Sequence, residues 1–270
     1  MAFDGFLSAL GAVIPALFLA VGVYIYVSLA RQIRARIVES SATPVRGFSW
    51  PEAILATLLA AWFLLNITAS ASHDVNNIRT RDFIANALFS IGLFLFIAAF
   101  LRLRRFDLGA LGGFSKMGFG RAATTGGILL LAAYPLVLLA EVVTQKLARG
   151  TLDKQGIVEL FNASSTLEQR VLIILLAVTV APLAEEFFFR FFLYGVVKRY
   201  FGCGVGVVAN ALLFAAVHAH LPSFAPLFVL GVCFTIAYEW SGSILVSMTM
   251  HALFNALALT ALAFPEVFPQ

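Results

Sequence analysis

Charge is scarce in this chain. Of 270 residues, 18 are Lys or Arg and 14 are Asp or Glu, so charged side chains make up 12%, against about 25% in a soluble globular domain. That deficit excludes an ordinary water-soluble enzyme. Cysteine is almost absent: Cys203 and Cys233 sit in apolar segments without metal-type spacing, which excludes a disulfide framework and leaves both as helix-packing residues. Two hydrolase signatures are missing, the His-Glu-x-x-His zinc motif and the Gly-x-Ser-x-Gly elbow. Met1 to Gly5 has no basic region, and the apolar stretch after it is too long for a signal-peptide core. It is expected to persist as a first membrane helix. The net charge of +4 gives no argument for a nucleic-acid partner, because the basic residues fall between apolar runs, where they set orientation instead.

What is present is hydrophobic surface: 61% of the residues and a mean hydropathy of +0.96. A spanning helix needs about 20 apolar residues. Eight segments qualify, at 6–30, 51–71, 83–101, 127–145, 171–197, 204–219, 222–239 and 242–264. The span at 204–219 is short, and Pro226 opens the option that 222–239 is two pieces. The predicted fold is all-α, a polytopic transmembrane bundle of about eight helices with an active site in its interior. It divides into N-terminal helices with an inner-face loop (1–165) and C-terminal polar-motif helices (166–264), together one integral membrane unit. With the N-terminus outside, inner loops hold eleven Lys and Arg and outer loops six, among them Arg79, Arg149 and Lys154. The segment Asp107 to Arg121 mixes apolar, basic and glycine residues; it reads as an amphipathic interfacial stretch or, favoured by its glycines, a plain flexible loop.

Against this background, three charges sit inside one apolar run: Glu185, Glu186 and Arg190. Each costs roughly 2.5–3.5 kcal/mol near the bilayer centre on insertion scales, so an interior site is the default explanation. Glu186 and Arg190 are four apart and share a helix face; Glu185 is rotated about 100° away and is the carboxylate less easily neutralised. Pro182 removes a backbone donor just upstream. A second piece is Phe214-Ala-Ala-Val-His218 with Asn210 on the same stripe, and His220 nearby at a helix end facing water. A third is His251-Ala-Leu-Phe-Asn255. Taken singly, these read as a structural ion pair and interhelical hydrogen bonds. Taken together, they suit peptide hydrolysis by an activated water. A carboxylate held away from bulk water becomes a better base, a histidine orients the water, and imidazole or amide donors meet the oxyanion. Zinc held by Glu185, His218 and His251 is chemically possible, though the spacing does not demand it.

The ordered triple Glu-Glu-x-x-x-Arg, Phe-x-x-x-His and His-x-x-x-Asn resembles the CPBP family of intramembrane proteases, which includes the type II CAAX prenyl endopeptidases (Rce1-like). The resemblance covers roughly residues 170–262. It implies an eight-helix fold and a glutamic-type endopeptidase in which Glu185 and His218 activate water while His251 and Asn255 serve the oxyanion. Glu186 and Arg190 would be a structural pair, with no cofactor and zinc as the alternative. It also implies a membrane-associated peptide or protein substrate, lipidated where the family cuts prenylated tails, in contact with the lipid bilayer and not with nucleic acid. The short loops suit a bacterial inner-membrane protein. Two competing functions are a proton-coupled transporter using the same groups as a relay, against which no matching inverted half is visible, and a non-catalytic immunity or scaffold protein with the same fold.

Overall fold

The computed structural model describes residues 2–39, 47–70, 80–148, 161, 164, 166–264 and 266. Arg46, Arg79, Arg149 and Lys154, and the expected division at residue 165, lie outside the described residues. The described chain is helical, without strands: α1 (Ala2–Glu39), α2 (Trp50–Ser70), α3 (Thr80–Leu103), the short α4 (Leu108–Gly112), α5 (Phe119–Ala148), α6 (Leu167–Leu175), α7 (Ala181–Glu186), α8 (Tyr194–Val217), α9 (Phe224–Ser241) and α10 (Ile244–Ala263). Two π-helical stretches, Leu176–Val180 and Phe187–Leu193, join α6 to α7 and α7 to α8.

Seven helical stretches among the described residues are long and apolar enough to cross a membrane. One of them, Leu167–Val217, is 51 residues long, more than twice what a bilayer needs. Gly202 resolves the excess. Its φ of 83° and ψ of 170° break the helix, and the chain turns back so tightly that a Cβ on Gly206 would lie 2.9 Å from the Tyr194 ring. The stretch is therefore two antiparallel arms, and the eight predicted segments all correspond to helices. The fold is a polytopic, multi-pass membrane bundle. The span containing Pro226 is a single helix: a turn at Leu221–Ser223 precedes it, and Pro226 falls in the first turn of α9, where no intrahelical donor is lost.

Leu17, Phe18, Leu65, Leu88 and Leu131 are exposed on the outside of the bundle, as lipid-facing side chains should be. At its centre Phe188, Phe189, Phe191, Phe192, Phe214 and Phe234 are almost completely buried. One end of the bundle is tied by polar contacts. Glu52 closes the start of α2: the Ser49 amide and hydroxyl both donate to its Oε2, at 2.7 and 2.9 Å, and Arg104 Nε reaches Glu52 Oε1 at 2.8 Å. Arg36 donates to the Trp240 carbonyl at 2.8 Å, while Lys198 and Tyr194 both donate to Glu239.

The segment 107–121 is more ordered than a flexible loop, which corrects the favoured reading. Asp107 Oδ1 accepts from the Gly109 and Ala110 amides at 2.8 and 3.1 Å, capping α4. Gly113 ends it at φ 67°, pressed against the turn between α9 and α10. A Cβ there would sit 1.8 Å from the Gly242 carbonyl oxygen. Gly113→Ala is expected to destabilise the protein by at least the roughly 1–3 kcal/mol of a left-handed non-glycine residue. Thermal unfolding in detergent measures it, and an unchanged midpoint would show that the loop does not brace the bundle.

Candidate active site

The first polar element is built on an irregular helix. At the end of the Leu176–Val180 stretch, the Ala181 amide bonds to the Leu176 carbonyl, a π register. In that register the next carbonyl, Ala177, would need the amide of residue 182, and Pro182 has none. An unpaired carbonyl is costly inside a membrane. Asn255 supplies the donor from α10: its Nδ2 lies 2.8 Å from Ala177 O. The sequence had placed the missing donor at Pro182; the structure shows which side chain compensates. Asn255→Ala is therefore expected to destabilise the bundle by about 1–3 kcal/mol, read by chemical denaturation in detergent, apart from any loss of activity. Equal stability would leave the Ala177 contact without structural weight.

Beyond Pro182, consecutive carboxylates face different surroundings. The Glu186 side chain is fully buried. Its Oε1 accepts from Arg190 Nη1 at 2.8 Å and from His251 Nδ1 at 2.9 Å. Arg190 is buried among aromatic rings, its Cζ 4.2 Å from the Phe214 centroid and 5.1 Å from that of Phe234, a cation–π arrangement that offsets part of its desolvation. Glu185 faces instead a cavity of about 640 Å³. Its side chain is 30% exposed, and its Oε2 lies 3.8 Å from His251 Nε2.

The histidines reach the same cavity from two other helices. His218 caps the end of α8. Its Nδ1 donates to the Phe214 carbonyl at 2.7 Å, which leaves Nε2 as a lone-pair acceptor. The edge-on Phe214 ring packs 4.9 Å from the His218 ring and 5.8 Å from that of His251. His251, with Nδ1 committed to Glu186, presents Nε2 towards Glu185. The cavity wall thus includes Glu185, His218, His251 and Asn255 together, while Glu186 and Arg190 form a pair behind it. Asn210 is not on that wall; it is buried and donates to Thr235 Oγ1 at 3.1 Å.

Two features escaped the sequence. His220 lines the cavity and contacts Ser223 through Nδ1 at 2.7 Å. Tyr134, Glu141 and Gln145 of α5, with Phe83 and Asn86 of α3, also line the cavity. The visible signal was Glu141 and Gln145, one turn apart in an apolar helix. Among the described residues, no three His, Cys, Asp or Glu side chains are grouped to hold a metal ion. Glu185, His218 and His251 share a cavity without forming a ligand set, so no step below runs through zinc. Cys203 and Cys233 are free thiols.

Residues 167–257 match the family model for the type II CAAX prenyl endopeptidase, Rce1-like. The matched segment is similar to that family over about a third of the chain. The match contains all three polar pieces, from Glu185 to Asn255, and the N-terminal helices lie outside it. The matched family is described as a prenyl endopeptidase, and a bundle with seven helical stretches long and apolar enough to cross a membrane among the described residues fits a membrane setting for such a domain. No curated protein and no solved structure matches the chain.

Proposed function

We propose that this Rce1-like protein cleaves peptide bonds by a glutamate–histidine mechanism at the cavity wall, in a bacterial inner membrane, on a membrane-associated peptide or protein. The observation that carries the reading is the contrast between neighbours: Glu186 is neutralised and buried, while Glu185 is presented to a cavity shared with His218, His251 and Asn255.

A water between Glu185 and His218 is oriented by the free Nε2 of His218, and Glu185 takes one of its protons as the oxygen attacks the scissile carbonyl carbon. The carbonyl π bond opens to an oxyanion. Asn255 spends one N–H on Ala177 and has a second to offer, and the imidazolium form of His251, its Nδ1–H held by Glu186, adds an Nε2–H donor. Collapse re-forms the carbonyl and breaks the C–N bond, and protonated Glu185 returns its proton to the leaving amine. The products are an acid and an amine, with both catalytic groups restored.

A purified preparation incubated with a chelator is expected to keep its activity on a cleavable peptide. Loss of activity that zinc restores would overturn the metal-free mechanism. The transporter and scaffold alternatives have no specific observation in their favour. A lipidated substrate remains compatible with the Rce1-like domain, and comparing membrane peptidomes of cells carrying the wild-type protein and Glu185→Gln identifies the peptides that stop being shortened.

A further inference from the structure

The bundle has two chemically unlike ends. Contacts described above place the end of α1, the start of α2, the end of α3, the α3–α5 connection, the Gly202 bend and the α9–α10 turn at one end: Arg36 with Trp240, Arg104 with Glu52, Lys198 with Glu239, and Gly113 against Gly242. That end holds ten of the described Lys and Arg residues; the opposite end holds Arg81, Lys146 and Arg170. Acidic Asp82 and Glu168 dilute the latter set. Lys and Arg in short connections stay on the cytoplasmic side, so the basic end is the cytoplasmic one.

The cavity is lined at the other end. Its walls include Phe83 near the start of α3, Gln145 near the end of α5, Pro222 and Ser223 in the α8–α9 connection, and Leu262 near the end of α10. None of these lies at the basic end. Among the described residues no Lys or Arg lines the cavity, while Glu141 and Glu185 do.

We propose that the site is loaded from the extracytoplasmic face, so that its substrates are neutral or basic peptide segments already translocated across the membrane rather than cytoplasmic tails. The proposal rests on the reading of the cavity as a hydrolytic site, whose substrate it specifies. An acidic segment, or a free C-terminal carboxylate, would meet the carboxylates of Glu141 and Glu185 and, among the described residues, no Lys or Arg on the cavity wall.

The test reads orientation without needing activity. Gln145→Cys at the cavity mouth and Ser115→Cys in the basic connection are each introduced into a Cys203→Ser, Cys233→Ser background and treated with a membrane-impermeant maleimide in intact spheroplasts. The expected result is a gel shift for Gln145→Cys in intact spheroplasts, and for Ser115→Cys only after permeabilisation. The reverse pattern, or labelling of both in intact spheroplasts, overturns the proposal. Should the cysteine variants fold poorly or Gln145→Cys resist the label, alkaline phosphatase fused behind α10 of the otherwise unaltered chain reads the same end: an active fusion supports the proposal and an inactive one overturns it. In the peptidome comparison, Glu185-dependent fragments are expected from extracytoplasmic segments. Fragments from cytoplasmic tails would overturn the orientation and leave proteolysis intact. An absence of Glu185-dependent fragments would refute proteolysis, with the labelling still reporting the orientation.

Discussion

Glu185→Gln is expected to lower turnover by about 10²–10⁴-fold while the unfolding midpoint of the detergent-solubilised protein stays in place. The exchange preserves shape and removes only the capacity to accept and return a proton. Little of the fold depends on that charge: Oε2 of Glu185 has no hydrogen-bond partner, and the nearest cationic candidate, His251 Nε2, is 3.8 Å away. A structural carboxylate would behave in the opposite way, losing stability and keeping chemistry. The measurement pairs single-turnover cleavage of a peptide identified by the peptidome comparison with thermal unfolding of the same preparation. Full turnover in the variant would end the glutamate mechanism, whatever the stability.

Glu186 and Arg190 should show the reverse signature. Replacing Arg190 with Met removes the guanidinium and leaves a fully buried carboxylate facing only His251 and the Ser247 hydroxyl, and breaking a buried pair in this way costs about 3–5 kcal/mol. The double variant Glu186→Leu, Arg190→Met removes both charges together and is expected to recover most of that loss. It should nonetheless stay poorly active, because His251 loses the acceptor that fixes its Nδ1 and with it the ring orientation. Denaturation of the wild-type, single and double variants in one detergent closes the cycle, and cleavage assays on the same samples supply the second axis. A double variant no more stable than Arg190→Met would mean that packing of the guanidinium among Phe214 and Phe234, not charge, carries the effect. A fully active double variant would remove His251 orientation from the mechanism.

The residues that could be read in advance were those governed by local geometry. Four-residue spacing put Glu186 with Arg190, and the pair is there at 2.8 Å; the 100° offset set Glu185 apart, and it faces the cavity. Long apolar runs gave the spans, including the short one at 204–219, because hydrocarbon thickness constrains length directly. What stayed hidden was set by tertiary contact or by backbone register. Glu186 and His251 are 65 positions apart, and no periodicity links them. The π register at Leu176–Val180 depends on packing, so Pro182 announced a missing donor without saying that Asn255 would replace it. The 107–121 segment read as loose because of its glycines, yet one of them, Gly113, is there to let the backbone close onto Gly242. His220 looked peripheral because the cavity wall it joins appears only when α3 and α5 close the bundle.

The fold-back at Gly202 has a physical cost for the surrounding lipid. The returning arm, residues 203–217, extends only about 22 Å at 1.5 Å per residue, short of the roughly 30 Å hydrocarbon slab. Local thinning of the bilayer where that arm stops, at His218, is one response to such a mismatch, and it would bring headgroups and their hydration to the depth of the imidazole. Thick, sterol-like or long-acyl membranes resist such a deformation and thin ones relax into it, so the lipid composition around the protein is expected to affect how easily water meets Glu185.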